Sequence, residues 1–168
     1  MVVLQTERLV LRELVLDDAP FALELLNEPG WLRYIGDRGV RSVEAAREYL
    51  LNGPIKMVRE HGFGLYAVTR RSDGTPLGMC GLIKRPTLDD VDIGFAFLAR
   101  HEGQGYGLES AQAVLAYGRR VHGLQRVVAI TSVDNERSIR LLQKIGLRFE
   151  KLIRLQDDGE EVKLFATP

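Results

Sequence analysis

Cysteine is almost absent from this chain of 168 residues, which contains only Cys80. A single thiol cannot form an internal disulfide, and it cannot build a zinc site from several cysteines. Cys80 lies in the apolar run 77–83, which indicates a small buried side chain rather than a nucleophile. Since no pattern in the sequence links the three histidines to it, we expect neither a catalytic Cys–His pair nor a metal cofactor.

Net charge and long apolar runs are absent as well. The chain has 23 Lys plus Arg and 23 Asp plus Glu, which leaves only a local basic patch as a means of attracting nucleic acid. It has neither the apolar core of a signal peptide nor a run long enough to span a membrane. We therefore expect a cytoplasmic monomer or homodimer that binds neither nucleic acid nor membrane, with one domain over residues 1–168.

The periodicity of the apolar residues predicts the element order β-α-α-β-β-β-α-β-α-β-β. The predicted strands lie at residues 8–14, 63–70, 76–83, 89–98, 126–133, 147–155 and 161–166. The predicted helices lie at residues 17–26, from 42 onward, at 106–122 and at 134–145; Gly53-Pro54 is expected to interrupt the second, and a short helix is expected to resume over residues 55–60. One helix separates strands 89–98 and 126–133, so we expect them to be parallel. The predicted fold is α/β, with a mixed, mostly antiparallel sheet around that central pair.

The most informative feature is the run Glu-Gly-Gln-Gly-Tyr-Gly at residues 102–107, between a predicted strand and an amphipathic helix. Glycine there lets the backbone approach a ligand and turn N–H groups toward an anion, where the helix dipole is also positive. The spacing differs from the Rossmann fingerprint, and the Lys-Ser/Thr of a P-loop is missing. Tight packing of the helix on the strand is the alternative explanation for these glycines.

The strand before the glycines has two unlike faces. Val, Ile and two Phe residues share one face, whereas Asp92, Gly94 and Ala96 share the other. The second face is small enough to leave room for a groove, and it places the Asp92 carboxylate beside that groove. A salt-bridged surface position is the alternative for Asp92.

The start of the last predicted helix carries two inward-facing polar residues. Ser138 shares a helical face with Leu141, Leu142 and Ile145, and Asn135 lies three positions before it. Helix capping accounts for Asn135 but not for Ser138. Because buried hydroxyls and amides need partners, the pair indicates a polar ligand at this helix start.

Together these motifs resemble the GNAT superfamily of N-acetyltransferases, and most closely its ribosomal-protein N-terminal (RimJ/RimL-like) branch. The opening of the chain, Thr6-Glu7-Arg8-Leu9-Val10-Leu11-Arg12, is similar to the start of that branch. Asp92-Ile93-Gly94-Phe95 resembles its fourth strand, and residues 102–107 resemble its pyrophosphate loop. Residues 135–138 and 144–147 resemble its last helix, so the likeness spans nearly the whole chain.

The resemblance implies an enzyme that transfers an acetyl group from acetyl-CoA to a primary amine, on a protein N-terminus or a small molecule. The amine would attack directly in a ternary complex, and the central parallel pair would splay to form the CoA cleft. The residues expected to bind the cosubstrate are Phe95, Ala96 and Phe97 through their backbone, Gly103, Gln104, Gly105, Tyr106 and Gly107 around the pyrophosphate, and Asn135 and Ser138 along the pantetheine arm. A strand N–H would stabilise the oxyanion.

The resemblance also implies catalytic and acceptor residues. Ser138 would protonate the departing thiolate, and Asp92, acting through water, is the candidate general base, with His101 as the alternative. Trp31 and Tyr34 are expected to wall the acceptor pocket, unless they serve only as core anchors.

Two positions depart from the family pattern. Glu102 stands where the family has Gln, Arg or an aromatic residue, and a carboxylate beside a pyrophosphate is unfavourable unless it points away. The last helix lacks the Tyr that many relatives use as the thiolate acid. The alternative function is a non-catalytic acyl-CoA-binding or sensor domain; a nucleotide-binding protein of another fold is disfavoured by the glycine spacing.

Overall fold

The computed structural model describes all 168 residues, which form one mixed eight-stranded sheet with helices on both faces. The strands are β1 (Val2–Gln5), β2 (Leu9–Glu13), β3 (Leu65–Arg70), β4 (Pro76–Ile83), β5 (Asp92–Phe97), β6 (Val128–Ser132), β7 (Arg148–Arg154) and β8 (Glu161–Ala166). The helices are α1 (Ala19–Leu26), α2 (Pro29–Tyr34), α3 (Val43–Leu50), α4 (Lys56–His61), α5 (Tyr106–His122) and α6 (Glu136–Lys144). The spatial order of the strands is β1-β2-β3-β4-β5-β6-β8-β7.

The pair β5–β6 is parallel, and every other neighbouring pair is antiparallel. The predicted fold class and the central parallel pair are therefore confirmed. The two strands are in register only at Asp92 and Val128, where the Val128 N–H donates to the Val91 carbonyl at 3.0 Å. Beyond that point they separate, so the sheet opens into a V between the C-terminal halves of β5 and β6.

Each face of the sheet has its own hydrophobic core. Ile93 of β5 belongs to the core beneath α5 and α6, and Phe95 and Phe97 pack against the same core. Met79 and Leu98 belong to the core beneath α1–α3, and Ala96 packs against it. The predicted division of β5 into a large and a small face is thus confirmed, and the small face looks toward the first helices.

Three local features differ from the sequence expectations. Val2–Gln5 adds an edge strand that is too short to show a periodicity of its own. Pro29–Tyr34 is helical rather than a loop, since proline at the first helical position suits a helix start and Trp31 is buried against the core. The regular helix is interrupted at Gly53-Pro54 and resumes as α4, as expected, but the two parts are joined by a continuous wide π-type turn over Leu51–Ile55 rather than separated by a break.

Cys80 is fully buried in β4, and burial raises the pKa of its thiol to about 12. The thiol is therefore protonated at neutral pH, which agrees with the small hydrophobic role expected from the sequence. No helix of the protein combines the length and apolar character needed to cross a bilayer. No three His, Cys, Asp or Glu side chains converge in a way that would hold a metal ion.

Candidate active site

The open V leaves peptide groups of β5 without strand partners. The Leu98 N–H donates to the Leu77 carbonyl at 3.0 Å, and Ala96 stands opposite Met79 in the same ladder. Bonded and non-bonded pairs alternate along antiparallel strands, so Ala96 bonds to β4 while Phe95 and Phe97 direct their N–H and C=O groups toward β6. No β6 residue pairs with them. An extended polar chain can complete this half-ladder, and Ala96 meets the cleft with its side chain rather than its peptide group.

The glycine loop adjoins the open end of β5. Gly103 and Gly105 have φ of +78° and +84°, a left-handed conformation in which other residues are strained. Gly105 is also the N-cap of α5, so the first N–H groups of that helix have no intrahelical partner. Gly103, Gly105 and Gly107 line a cavity of about 690 Å³, which we call the first cavity. The concave space is therefore bordered by a glycine loop and by the start of a helix whose first N–H groups have no intrahelical partner, an arrangement suited to an anion.

Arg8, which sequence reasoning did not single out, holds this loop in place. Its guanidinium bonds to Glu109 Oε1 at 2.7 Å and to the Gln104 carbonyl at 2.9 Å, and it stacks over Tyr106 with 4.6 Å to the ring centroid. The Arg8 N–H and the Thr6 hydroxyl donate to the other oxygen of Glu109. The motif at the start of the chain, residues 6–12, was the sequence feature that could have indicated this role. Its contacts attach the start of β2 to the glycine loop and to the first turn of α5.

Glu102, the residue that fits the family pattern least, is paired with Arg137 of α6. Both residues line the first cavity, together with Arg140 and Lys144. The carboxylate is therefore turned toward a cation at the cavity rim, which reduces its repulsion of a bound anion.

The start of α6 places Asn135 and Ser138 at the cleft. Asn135 is the N-cap, and its Oδ1 accepts the Ser138 N–H at 3.3 Å. The capping explanation for Asn135 is thus confirmed, and it leaves the side-chain N–H groups of this amide for another partner. Ser138 lies in the first turn of the helix, four residues before the buried Leu142; it is half-buried and lines the first cavity and also a second one.

A second cavity of about 510 Å³ lies on the small face of β5, toward the first helices. It meets the first cavity where the sheet opens. The residues that line both cavities include Trp31, Tyr34, Phe95, Ala96, Asn135 and Ser138. The two spaces therefore share a junction between β5, α2 and the start of α6.

Trp31 carries an unpaired donor at this junction. The side chain is only 6% exposed, and its indole N–H is buried without a hydrogen-bond partner. Since buried donors in native proteins nearly always have partners, an acceptor atom of a ligand is expected there. Tyr34, beneath the Arg33 guanidinium, accepts the Ser132 hydroxyl on its backbone carbonyl at 2.9 Å, which anchors α2 to β6.

The two candidate bases lie in different cavities. Asp92 lines the second cavity and is 1% exposed, and burial raises the pKa of its carboxyl although Arg85 Nε, 3.0 Å from Oδ1, opposes this. Asp92 thus forms a salt bridge, but its carboxylate is buried and does not lie on the protein surface. His101 lines the first cavity, and burial, followed by the charges of Arg100 and Arg70, lowers the pKa of its ring. This placement favours Asp92 as the group that meets a molecule in the second cavity.

The sequence and the fold both match known proteins. Residues 8–148 match the family model described as the acetyltransferase (GNAT) domain. An uncharacterized N-acetyltransferase of Bacillus subtilis, YoaA, is 28% identical over 153 residues, which cover 90% of this chain and 86% of that protein. The structure of a protein described as a GNAT-family acetyltransferase from Bordetella pertussis superposes with a TM-score of 0.81 at 27% identity, over 100% of both chains. RimL, a ribosomal L7/L12 α-N-protein acetyltransferase solved with coenzyme A, shares the fold with a TM-score of 0.82 at 20% identity, over 99% of this chain and 97% of that one.

Proposed function

Because the chain belongs to the acetyltransferase (GNAT) family, we propose that it transfers an acetyl group from acetyl-CoA to a primary amine, which attacks directly in a ternary complex. The observation that carries this proposal is the pair of joined cavities, of about 690 and 510 Å³, on the two sides of the opened sheet. One space suits the acyl donor and the other the acceptor, so both substrates can be present at once. The likeness in fold to RimL supports the RimJ/RimL-like branch, with a protein N-terminus or a small molecule as the acceptor.

The residues of the first cavity fit coenzyme A. The free peptide groups of Phe95 and Phe97 match an amide-containing arm, and the N–H groups of the loop residues that line the cavity, Gly103, Gly105, Tyr106 and Gly107, match a pyrophosphate. The side-chain amide of Asn135 lines the same cavity and would donate to that arm, and the unpaired Trp31 N–H would donate to an oxygen atom near the junction. When bound, acetyl-CoA supplies the acyl group as a reactive thioester.

The proposed catalytic steps use residues at the junction and in the second cavity. Asp92 takes, through water, one proton from the ammonium group, and the resulting amine attacks the acyl carbon. A backbone N–H of β5 donates to the acyl oxygen as negative charge develops there. As the N–C bond forms and the C–S bond breaks, Ser138 relays the second proton from nitrogen to sulfur. Most of the rate then comes from positioning the amine and removing its protons.

A thermal-shift and turnover experiment tests this proposal. Acetyl-CoA at 100 times its Kd should stabilise the protein by about 2.7 kcal/mol, which raises Tm by about 5–11 °C. Ser138→Ala should lower kcat about tenfold and reduce this shift much less, because the hydroxyl acts mainly on the departing sulfur. Ser72→Ala, in an exposed turn, is the control. The absence of a shift would disprove the cofactor assignment, whereas a shift without thiol release from any amine would support the sensor alternative.

A second prediction concerns Glu102. Glu102→Gln should tighten CoA binding about fivefold, since one negative charge near the pyrophosphate contributes on the order of 1 kcal/mol and its removal also frees Arg137. Calorimetric titration with CoA measures the effect, and it should shrink at high salt. Glu160→Gln, outside both cavities, should leave the affinity unchanged. Weaker binding in Glu102→Gln would mean that the ion pair itself shapes the site.

The proposal also includes features that the sequence leads us to expect. They are a cytoplasmic location, a monomeric or homodimeric state, and no binding to nucleic acid or membrane.

A further inference from the structure

The second cavity has an unusual balance of charge for a site that takes amines. The charged side chains that line it are Arg38, Arg85 and Asp92. Asp92 is already held by Arg85, with 3.0 Å between Oδ1 and Nε. A polycationic acceptor would therefore meet two guanidinium groups and no free carboxylate beyond the one assigned to proton removal.

Arg38 lacks the carboxylate partners that its neighbours have. In the segment between α2 and α3, Arg41 is paired with Asp37 at 2.6 Å. Asp90, two residues before Asp92, is paired with Arg126 at 2.9 Å. The exposed Arg38 guanidinium has no carboxylate within salt-bridge distance, so its N–H donors can bind a molecule in the cavity.

Tyr49 lines the same cavity as the two guanidinium groups. Burial raises the pKa of its phenol, and the charges of Arg38 and Arg85 act in the opposite direction, so both lie within electrostatic reach of this side chain. The segment before α3, α3 itself and the segment between β4 and β5 thus each supply one donor group, and guanidinium groups match the planar geometry of a carboxylate.

We propose that the acceptor amine also carries a carboxylate, which Arg38 binds with help from Arg85 and Tyr49 while the amine reaches the junction at Ser138. This inference rests on the proposed function and adds the chemical class of the acceptor. Free amino acids and peptides with an acidic residue next to the N-terminal amine share this chemistry. Polyamines and other polycationic amines do not.

Matched acceptor pairs test the inference. Alanine against alaninamide represents the free amino acid, and Ala-Glu-NH₂ against Ala-Gln-NH₂ represents the peptide; spermidine represents polycations. Thiol release from acetyl-CoA measures kcat/KM for each. In one of the two pairs we expect kcat/KM to be at least about tenfold higher for the member that carries a carboxylate. The pair that shows this preference tells whether the acceptor is a free amino acid or a peptide, and spermidine should be a poor acceptor.

Variants of Arg38 test the residue assignment. Arg38→Glu should lower kcat/KM for the preferred acceptor about 100-fold, mainly through KM, and should improve spermidine as an acceptor. Arg38→Lys should restore part of the preference, because it keeps the charge but not the planar fork. Arg47→Glu makes the same charge change on an exposed position of α3 outside the cavity lining and should leave the preference unchanged. An unchanged Tm shift with CoA shows that Arg38→Glu is folded.

Each other outcome counts against the inference. Equal rates for the carboxylate and amide members, or a preference for spermidine, would overturn it and leave the proposed function intact. A preference that survives Arg38→Glu would overturn the assignment to Arg38. If CoA binds and no amine is acetylated, the proposed function fails and the inference fails with it.

Discussion

Gly105→Val is expected to weaken CoA binding by about 100-fold or more. Gly105 has φ of +84°, a conformation that a β-branched residue rarely adopts, and an added Cβ would lie 3.2 Å from Arg8 Nη2. The loop must therefore adopt another backbone conformation, in which its N–H groups no longer point together at a bound phosphate. Hydrogen bonds from these groups to a charged phosphate contribute about 1.5–3 kcal/mol each, so the loss of two accounts for the effect. Calorimetric titration with CoA measures it.

Gly123→Val is the matched control for this experiment. Gly123 caps the other end of α5 with φ of +64°, and an added Cβ meets no atom within 4 Å. Both variants should lose similar stability from backbone strain, about 1–3 kcal/mol, which Tm without ligand reports. Only Gly105→Val should lose CoA affinity. If it binds CoA as Gly123→Val does, the glycines serve helix packing and the phosphate-loop interpretation is wrong.

Asp92→Asn is expected to lower kcat by about 100-fold or more while the protein stays folded. Asparagine keeps the shape of the side chain and can still accept the Arg85 Nε–H, but it cannot take a proton from the ammonium group. The acid limb of the pH profile, displaced upward because burial raises the pKa of Asp92, should disappear in the variant. Stopped-flow or steady-state thiol release across pH measures both effects.

The stability of Asp92→Asn has a defined sign. A carboxyl whose pKa is raised in the folded state favours folding below its ordinary pKa, and that contribution is lost as pH rises through the folded value. Asparagine does not ionise, so the variant does not lose this contribution to the free energy of unfolding as pH rises. At pH 7 it should be at least as stable as the parent. Asp89→Asn, at an exposed position three residues before Asp92, should change neither rate nor stability. Full turnover in Asp92→Asn would move the role of base to another group, with His101 the next to test.

The architecture follows from local patterns. Alternation along residues 92–97 indicated which side chains face each core, and the single intervening helix indicated a parallel pair. The same local reasoning placed Asn135 and Ser138 on one face at a helix start. Local patterns did not predict the short elements Val2–Gln5 and Pro29–Tyr34, because these segments are too brief to show a hydrophobic periodicity.

The sequence by itself determined the order of elements, the faces of β5, and a glycine loop before a helix. Only the tertiary structure decided what surrounds each group. Arg8 meets Glu109 across 101 residues and Glu102 meets Arg137 across 35, whereas periodicity reports neighbours within a few turns. The burial of Asp92 against Arg85, the unpaired Trp31 N–H and the free Arg38 guanidinium likewise depend on how distant segments pack. Charge, solvation and partner availability are set by that packing, so the chemistry of the cleft appears only once the chain is folded.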